Sequence, residues 1–266
     1  MQVDLHGIRI FYQEWGQGPQ TVLCFHGWGM NGDSWIPVAR RFPPNQWRII
    51  MPDLRGFGRS DKPPSGYHIN DYMRDTIRLV RALRLTRVDL IGHSFGGTGA
   101  LYLAARIPHL VRRLVLFDTT AGAGCALVHP RIAKQFARIQ ALAGRVSDSA
   151  LPTLLSRIWR QSLTITPPPD QASAQAEASR QAERHAVLAT LNTVLTTDIS
   201  QFLTHLKVPT LLIRGQEDPL LKDSPDGLDE IPNALRVTIP GTGHYPPIEN
   251  LNAVWPYIAN FLLVSE

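Results

Sequence analysis

Val88-Asp89-Leu90-Ile91-Gly92-His93-Ser94-Phe95-Gly96-Gly97 reads as a short apolar strand that runs into Gly-x-Ser-x-Gly and then into a helix. This is the sequence form of a nucleophile elbow, a tight, strained turn that exposes a serine oxygen at the carboxyl edge of a sheet. The spacing has a steric cause. Backbone crowds the serine so closely that the residues two before and two after it, Gly92 and Gly96, must be nearly free of side chain. Gly97 lets the following helix pack close to the strand. Whether Ser94 is a nucleophile or a structural turn serine depends on what the rest of the chain supplies.

The flanking sequence supplies a regular rhythm. Upstream, Val3 to Leu5 and Ile8 to Trp15 are apolar-rich segments joined at His6-Gly7, which predicts a hairpin. Thr21 to Phe25 is a strand that stops at His26-Gly27-Trp28-Gly29, a short helix is predicted from Ser34 to Phe42, and Trp47 to Met51 is the next strand. A loop with two glycines, Asp53-Leu54-Arg55-Gly56-Phe57-Gly58-Arg59-Ser60-Asp61, leads to a helix from about Ile69 to Leu85, whose Ile77, Val80 and Leu83 form the apolar face. Downstream come a helix from Gly96 to Arg106 and a strand from Val111 to Phe117. Strands alternating with helices predict an α/β fold with a mostly parallel, doubly wound sheet.

From about 122 to 204 the rhythm changes to helical patterns with no convincing strand, and Thr166-Pro167-Pro168-Pro169 divides the region. Gln171 to Thr193 is rich in Ala, Gln, Glu and Arg, but Val187, Leu188, Leu191, Val194 and Leu195 give it a face to bury, so it is read as a helix of a cap and not as a linker. Phe136, Ile139, Leu155 and Trp159 stand at spacings that suit helix packing, any of them is also a candidate for lining the pocket, and the sequence does not choose among them. The core resumes with strands at Pro209 to Arg214 and Leu235 to Ile239 and a closing helix from Asn250 to Leu263. The domain reading is a core of residues 1–121 and 205–266 with a helical cap or lid at 122–204.

Bulk properties narrow the functional classes. With 266 residues, 44% hydrophobic and 18% charged, the chain is of the soluble globular kind with room for a substantial core. No apolar run approaches the roughly 18 to 20 residues that span a bilayer, and Met1-Gln2-Val3-Asp4-Leu5-His6 lacks the basic and apolar regions of a signal peptide, so no membrane contact and a cytoplasmic location are expected. Cys24 and Cys125 lie far apart and no disulfide is expected. A net charge of +5 raises nucleic-acid binding, but Arg74, Arg78, Arg81 and Arg84 recur at helical spacing as on a solvated face, and no zinc or RNA-binding signature accompanies them. No nucleic-acid partner is expected. Nor is a metal or nucleotide cofactor: the chain has no His-x-x-x-His or Cys-x-x-Cys pair, and the serine loop is neither Gly-x-Gly-x-x-Gly nor a phosphate loop with its Lys.

A serine hydroxyl is a weak nucleophile at neutral pH and needs a base, which in turn needs an orienting carboxylate. Arg214-Gly215-Gln216-Glu217-Asp218-Pro219 follows one strand and brings Asp218 to the same sheet edge as Ser94, while Pro240-Gly241-Thr242-Gly243-His244-Tyr245 follows the last strand and brings His244. Asp118, just past an earlier strand, competes with Asp218 for the role of acid.

With these loops in place the chain resembles the α/β-hydrolase superfamily over its whole length apart from the cap, and His26-Gly27-Trp28-Gly29 with the cap is similar to the carboxylesterase group that includes the pimeloyl-acyl-carrier-protein methyl ester esterase. The resemblance implies an eight-stranded, mostly parallel sheet flanked by helices. It implies Ser94 as nucleophile, His244 as general base and acid, Asp218 as the residue that orients it, and the backbone N–H groups of Trp28 and Phe95 as the oxyanion hole. His26 and His93 take structural roles beside the active loop, and Asp53 and Arg55 tie down the loop after their strand. A serine at 94 disfavours the haloalkane dehalogenases and epoxide hydrolases, which use an aspartate. The expected substrate is a small-molecule acyl ester, free or carrier-bound; a thioester, a lactone, a diketone cleaved at carbon, or ligand binding without turnover are the alternatives.

Overall fold

The chain begins with two antiparallel strands, β1 (Gln2–Asp4) and β2 (Arg9–Trp15). The turn between them holds His6 and Gly7 at φ of 61° and 89°, the left-handed pair that matches strand twist in a tight hairpin. There follow β3 (Gln20–Phe25), a 3₁₀ turn at Gly32–Trp35 that passes into α1 (Ile36–Ala39), β4 (Trp47–Pro52), α2 (Ile69–Ala82), β5 (Val88–His93), α3 (Ser94–Arg106) and β6 (Val111–Phe117). Four helices then intervene, α4 (Pro130–Arg145), α5 (Leu151–Gln161), α6 (Pro169–Arg180) and α7 (Arg184–Thr196), before β7 (Thr210–Gly215), β8 (Leu235–Ile239), α8 (Pro246–Glu249) and α9 (Leu251–Leu262). These elements come from a computed structural model that describes residues 1–222 and 225–263.

The eight strands form one sheet in the order β1-β2-β4-β3-β5-β6-β7-β8, antiparallel at the hairpin edge and parallel from β4 onward. Alternation along β3 builds the two layers: Leu23 and Phe25 join the core beneath α2 and α3, while Val22 and Cys24 join the core beneath α1 and α9. β5, in the middle, is buried along its whole length, which is why its sequence reads as a continuous apolar run. Asp89 interrupts that run. Its carboxylate accepts from Arg112 Nε at 2.9 Å and Nη2 at 2.5 Å, so the buried charge is paired from the neighbouring strand.

One predicted helix divides. The segment from Gln171 to Thr193 forms two helices, α6 and α7, parted at Ala182 and Glu183, where Glu183 is extended (φ −109°, ψ 135°). The reason is packing: α6 lies against α5 and α7 against α4, and one straight rod cannot serve both directions. Arg84, placed by spacing on the face of α2, lies beyond its end with φ 55°. No helix of the described residues is long and apolar enough to cross a membrane. Both cysteines are buried free thiols.

Candidate active site

The site begins where β5 meets α3. Ser94 has φ 50°, a left-handed conformation that a residue with a Cβ adopts only under strain and that persists only where its surroundings enforce it. The enforcement is steric. A methyl on Gly92 would lie 2.6 Å from the Gly97 Cα, and one on Gly96 would collide with the carbonyl oxygens of His26 and Phe25. The turn also leaves Ser94 at the start of a 13-residue helix, whose first N–H groups, Phe95 included, have no acceptor within the helix.

Asp218 follows β7 and His244 follows β8, and both are buried. His244 Nδ1 lies 2.7 Å from Asp218 Oδ2, and the other carboxylate oxygen accepts the Leu220 N–H at 2.8 Å. Burial pushes the Asp218 carboxyl up, but the charge and hydrogen bond of His244, together with the Leu220 N–H, hold it below the ordinary carboxylate range. Three groups fix the backbone of the histidine loop. His244 N–H donates to Ser162 O at 2.8 Å, His93 Nε2–H donates to His244 O at 2.7 Å, and Glu249 accepts from the N–H groups of Gly243 and Tyr245. Glu249 also accepts from Thr164 and Ile165 at 2.7 and 2.9 Å, so one carboxylate ties the histidine loop to the helical insertion. Sequence reading passed over Glu249; its signal is an acid five residues beyond the histidine, at the end of a Pro-Pro-Ile-Glu turn.

Asp118 approaches from the end of β6 at φ 42°, and the His244 Nδ1 bond goes to Asp218 instead. Its Oδ1 accepts the Gly215 N–H at 2.9 Å, and Oδ2 is buried with no hydrogen-bond partner among the described residues. Burial and the charge of Asp218 hold the Asp118 carboxyl well above the ordinary range. Asp118, Asp218 and His244 bring donor atoms within 4.8 Å of one another, the spacing a cation would need. One of the two carboxylates, Asp218, faces the imidazole Nδ1 at 2.7 Å.

Ser94, His244, Trp28, Phe95 and Asp118 line one cavity, while Asp218 sits behind His244. Of the four insertion residues left open between packing and lining, Phe136 lines the cavity; Ile139 and Leu155 pack inside the insertion, and Trp159 lies against Tyr245. Ile132, Val194, Leu220 and Leu221 complete an apolar wall that sequence reading did not pick out. Trp28 turns its indole N–H to Thr190 Oγ1 of α7 at 3.0 Å, which links the loop after β3 to the insertion.

The remaining candidates hold loops. His26 accepts the Leu54 N–H on Nε2 at 2.9 Å and lies 2.8 Å from Gly27 O through Nδ1, so it bridges the loops after β3 and β4. Asp53 accepts from the N–H groups of Gly32 and Arg59, both at 2.8 Å, and Arg55 pairs with buried Asp75 through two bonds of 2.5 and 2.6 Å.

A sequence model of the alpha/beta hydrolase fold matches residues 20–251. Among curated proteins, 2-(acetamidomethylene)succinate hydrolase of Mesorhizobium japonicum is 39% identical over 119 residues, which is 45% of this chain and 42% of that relative, less than half its length. A non-heme chloroperoxidase of Burkholderia pyrrocinia is 27% identical over 257 residues, 89% of this chain and 90% of the relative. Among solved structures, an esterase of Exiguobacterium antarcticum has a TM-score of 0.85 at 20% identity over 97% of each chain, a likeness of fold.

Proposed function

The chain belongs to the α/β-hydrolase family, and on that premise we propose that it is a serine hydrolase that cleaves a carboxylic ester of a small or medium, uncharged acyl group through an acyl-enzyme at Ser94. The observation that carries the reading is the 2.7 Å contact of His244 Nδ1 with Asp218, behind a cavity that His244 and the strained Ser94 both line.

In this reading Ser94 Oγ adds to the ester carbonyl carbon while its proton passes to His244 Nε2. Asp218 keeps Nδ1–H oriented and balances the imidazolium. The oxyanion is received by the backbone N–H groups of Phe95 and Trp28, donors already fixed in place before charge develops, each worth about 10² to 10³ in rate. The carbon–oxygen bond to the leaving group breaks, and the alcohol departs with the proton from Nε2. Water, deprotonated by His244, then adds to the acyl carbon, and collapse of that intermediate returns the proton to Ser94 and frees the acid. Residues 122–204 act as the cap, since Ile132, Phe136 and Val194 form much of the acyl wall.

The chemistry of that wall selects the acyl group. Among the described residues its lining includes no Lys or Arg, so a carboxylate carried by the acyl chain would enter without a counter-ion, and an unpaired buried charge is costly. A succinate-type acid, as in the name of one relative, is therefore disfavoured here.

The experiment is labelling with a fluorophosphonate probe alongside turnover of short-chain nitrophenyl esters, with Ser94→Ala as control. Labelling of Ser94 and turnover, both lost in Ser94→Ala, are expected; an intact chain that neither labels nor turns over removes the reading. Across a panel of esters, thioesters and lactones, neutral-acyl esters are expected to be fastest, and an ester of a dicarboxylic acid slower by about tenfold or more.

A further inference from the structure

Two carboxyl groups lie beside His244, and the mechanism above uses only one. We propose that Asp118 is a positioning residue that bears a proton on Oδ2 and donates it to Asp218, so that the pair beside His244 holds a single negative charge. The proposal rests on the triad reading above.

Three features of the geometry lead to it. Asp118 is pinned to β7 by both backbone and side chain, its N–H donating to Ile213 O at 3.0 Å and its Oδ1 accepting the Gly215 N–H at 2.9 Å. Oδ2 is fully buried and, among the described residues, has no donor directed at it. An ionised oxygen in that position would be an unsatisfied buried acceptor, whereas a protonated one can donate toward the Asp218 carboxylate, which brings an oxygen within 4.8 Å of an Asp118 oxygen. Finally, two carboxylates this close in a desolvated site do not both ionise. The charge settles on Asp218, which faces the imidazole and the Leu220 N–H, and leaves Asp118 the neutral partner.

The strained backbone of Asp118, φ 42°, holds the donor in place. The charged or titratable groups facing it are Asp218 and His244 from the loops after β7 and β8, and Arg214 on β7, whose guanidinium pairs with Asp226. A further hydrogen bond to the Asp218 carboxylate fixes its plane and so the direction of the His244 ring.

The two obvious substitutions separate the proton-bearing role from simple packing. In Asp118→Asn the amide oxygen accepts from Gly215 and the amide N–H donates to Asp218, so kcat is expected to stay within about threefold; Asp118→Ala removes both bonds and is expected to lose about ten- to hundredfold. Infrared spectra supply a readout independent of turnover: the intact chain at neutral pH shows a carbonyl band of a protonated carboxyl, and Asp118→Asn removes it. Absence of that band, an Asn variant as impaired as the Ala variant, or an Ala variant as active as the intact chain would each overturn the proposal. If Asp118→Ala fails to fold, the band and the Asn variant decide. Fluorophosphonate labelling of the intact chain tests the triad reading separately, because the band reports the proton whether or not Ser94 reacts.

Discussion

At the scale of single residues, Asp118 and Asp218 carry the same functional group to the same place and take different parts. Each follows a parallel strand, so the chain pattern alone leaves both as candidates for the acid. What separates them is a bond between loops, His244 Nδ1 to Asp218 Oδ2 at 2.7 Å, while Asp118 is bonded to the Gly215 N–H. Asp218→Asn keeps the volume but turns an obligate acceptor into a group that can present N–H to the imidazole, which favours the wrong tautomer. Its kcat is expected to fall by about 10⁴ with an unchanged circular dichroism spectrum. Asp118 does not take over in that variant, because its Oδ1 is held by the Gly215 N–H and its backbone N–H by Ile213 O. Residual activity within tenfold of the intact chain would move the acid to Asp118.

At the scale of elements, the elbow and the helical character of the insertion were legible and the insertion's packing was not, for reasons that lie in the residues. Gly92, Ser94 and Gly96 encode a local steric requirement, and the collisions a side chain would meet there involve backbone of the same turn and of the adjoining strand end. Asp218 and His244 were legible in the same way, as loop residues after strands in family order. Pocket lining depends instead on the rotation of each insertion helix. Phe136 and Ile139 both lie on α4, yet Phe136 faces the cavity and Ile139 packs into the insertion. Nothing in their spacing gives that rotation, and the break between α6 and α7 arises from packing partners that the sequence of either helix does not name. The difference predicts opposite phenotypes. Phe136→Ala opens the acyl wall and should raise kcat/KM for a longer acyl chain relative to a short one by about tenfold, with little change in unfolding. Ile139→Ala should leave the chain-length ratio unchanged and cost about 2 kcal/mol in urea unfolding. A shifted ratio in Ile139→Ala, or none in Phe136→Ala, would contradict the assigned wall.

At the scale of the whole molecule, the buried groups that build the site also set how stability follows pH. Burial, and then the neighbouring His244, lower His93 to about 3, and burial lowers His26 as well; both rings are neutral where an unfolded chain would bind protons. The sign follows directly. A histidine depressed from 6.5 contributes stability that is complete above pH 6.5 and declines as pH falls toward 3, because the unfolded chain takes up a proton that the folded chain refuses. Asp118, raised by burial and the charge of Asp218, works the other way: its contribution is complete below the unfolded carboxylate range and declines as pH rises above it. One proton corresponds to about 1.4 kcal/mol per pH unit, and His93 and Asp118 pull in opposite directions between about pH 4 and 6. Urea unfolding from about pH 5 to 7 reads each through its own variant. Replacing His93 by Gln retains an N–H for the His244 carbonyl but no titration, and should lower the slope of stability against pH by close to one proton even if it lowers stability at pH 7. Asp118→Asn should raise that slope, since it removes the opposing proton. A parallel shift of the whole curve in either variant, with no change of slope, would mean that these groups ionise in the folded chain as they do in the unfolded one.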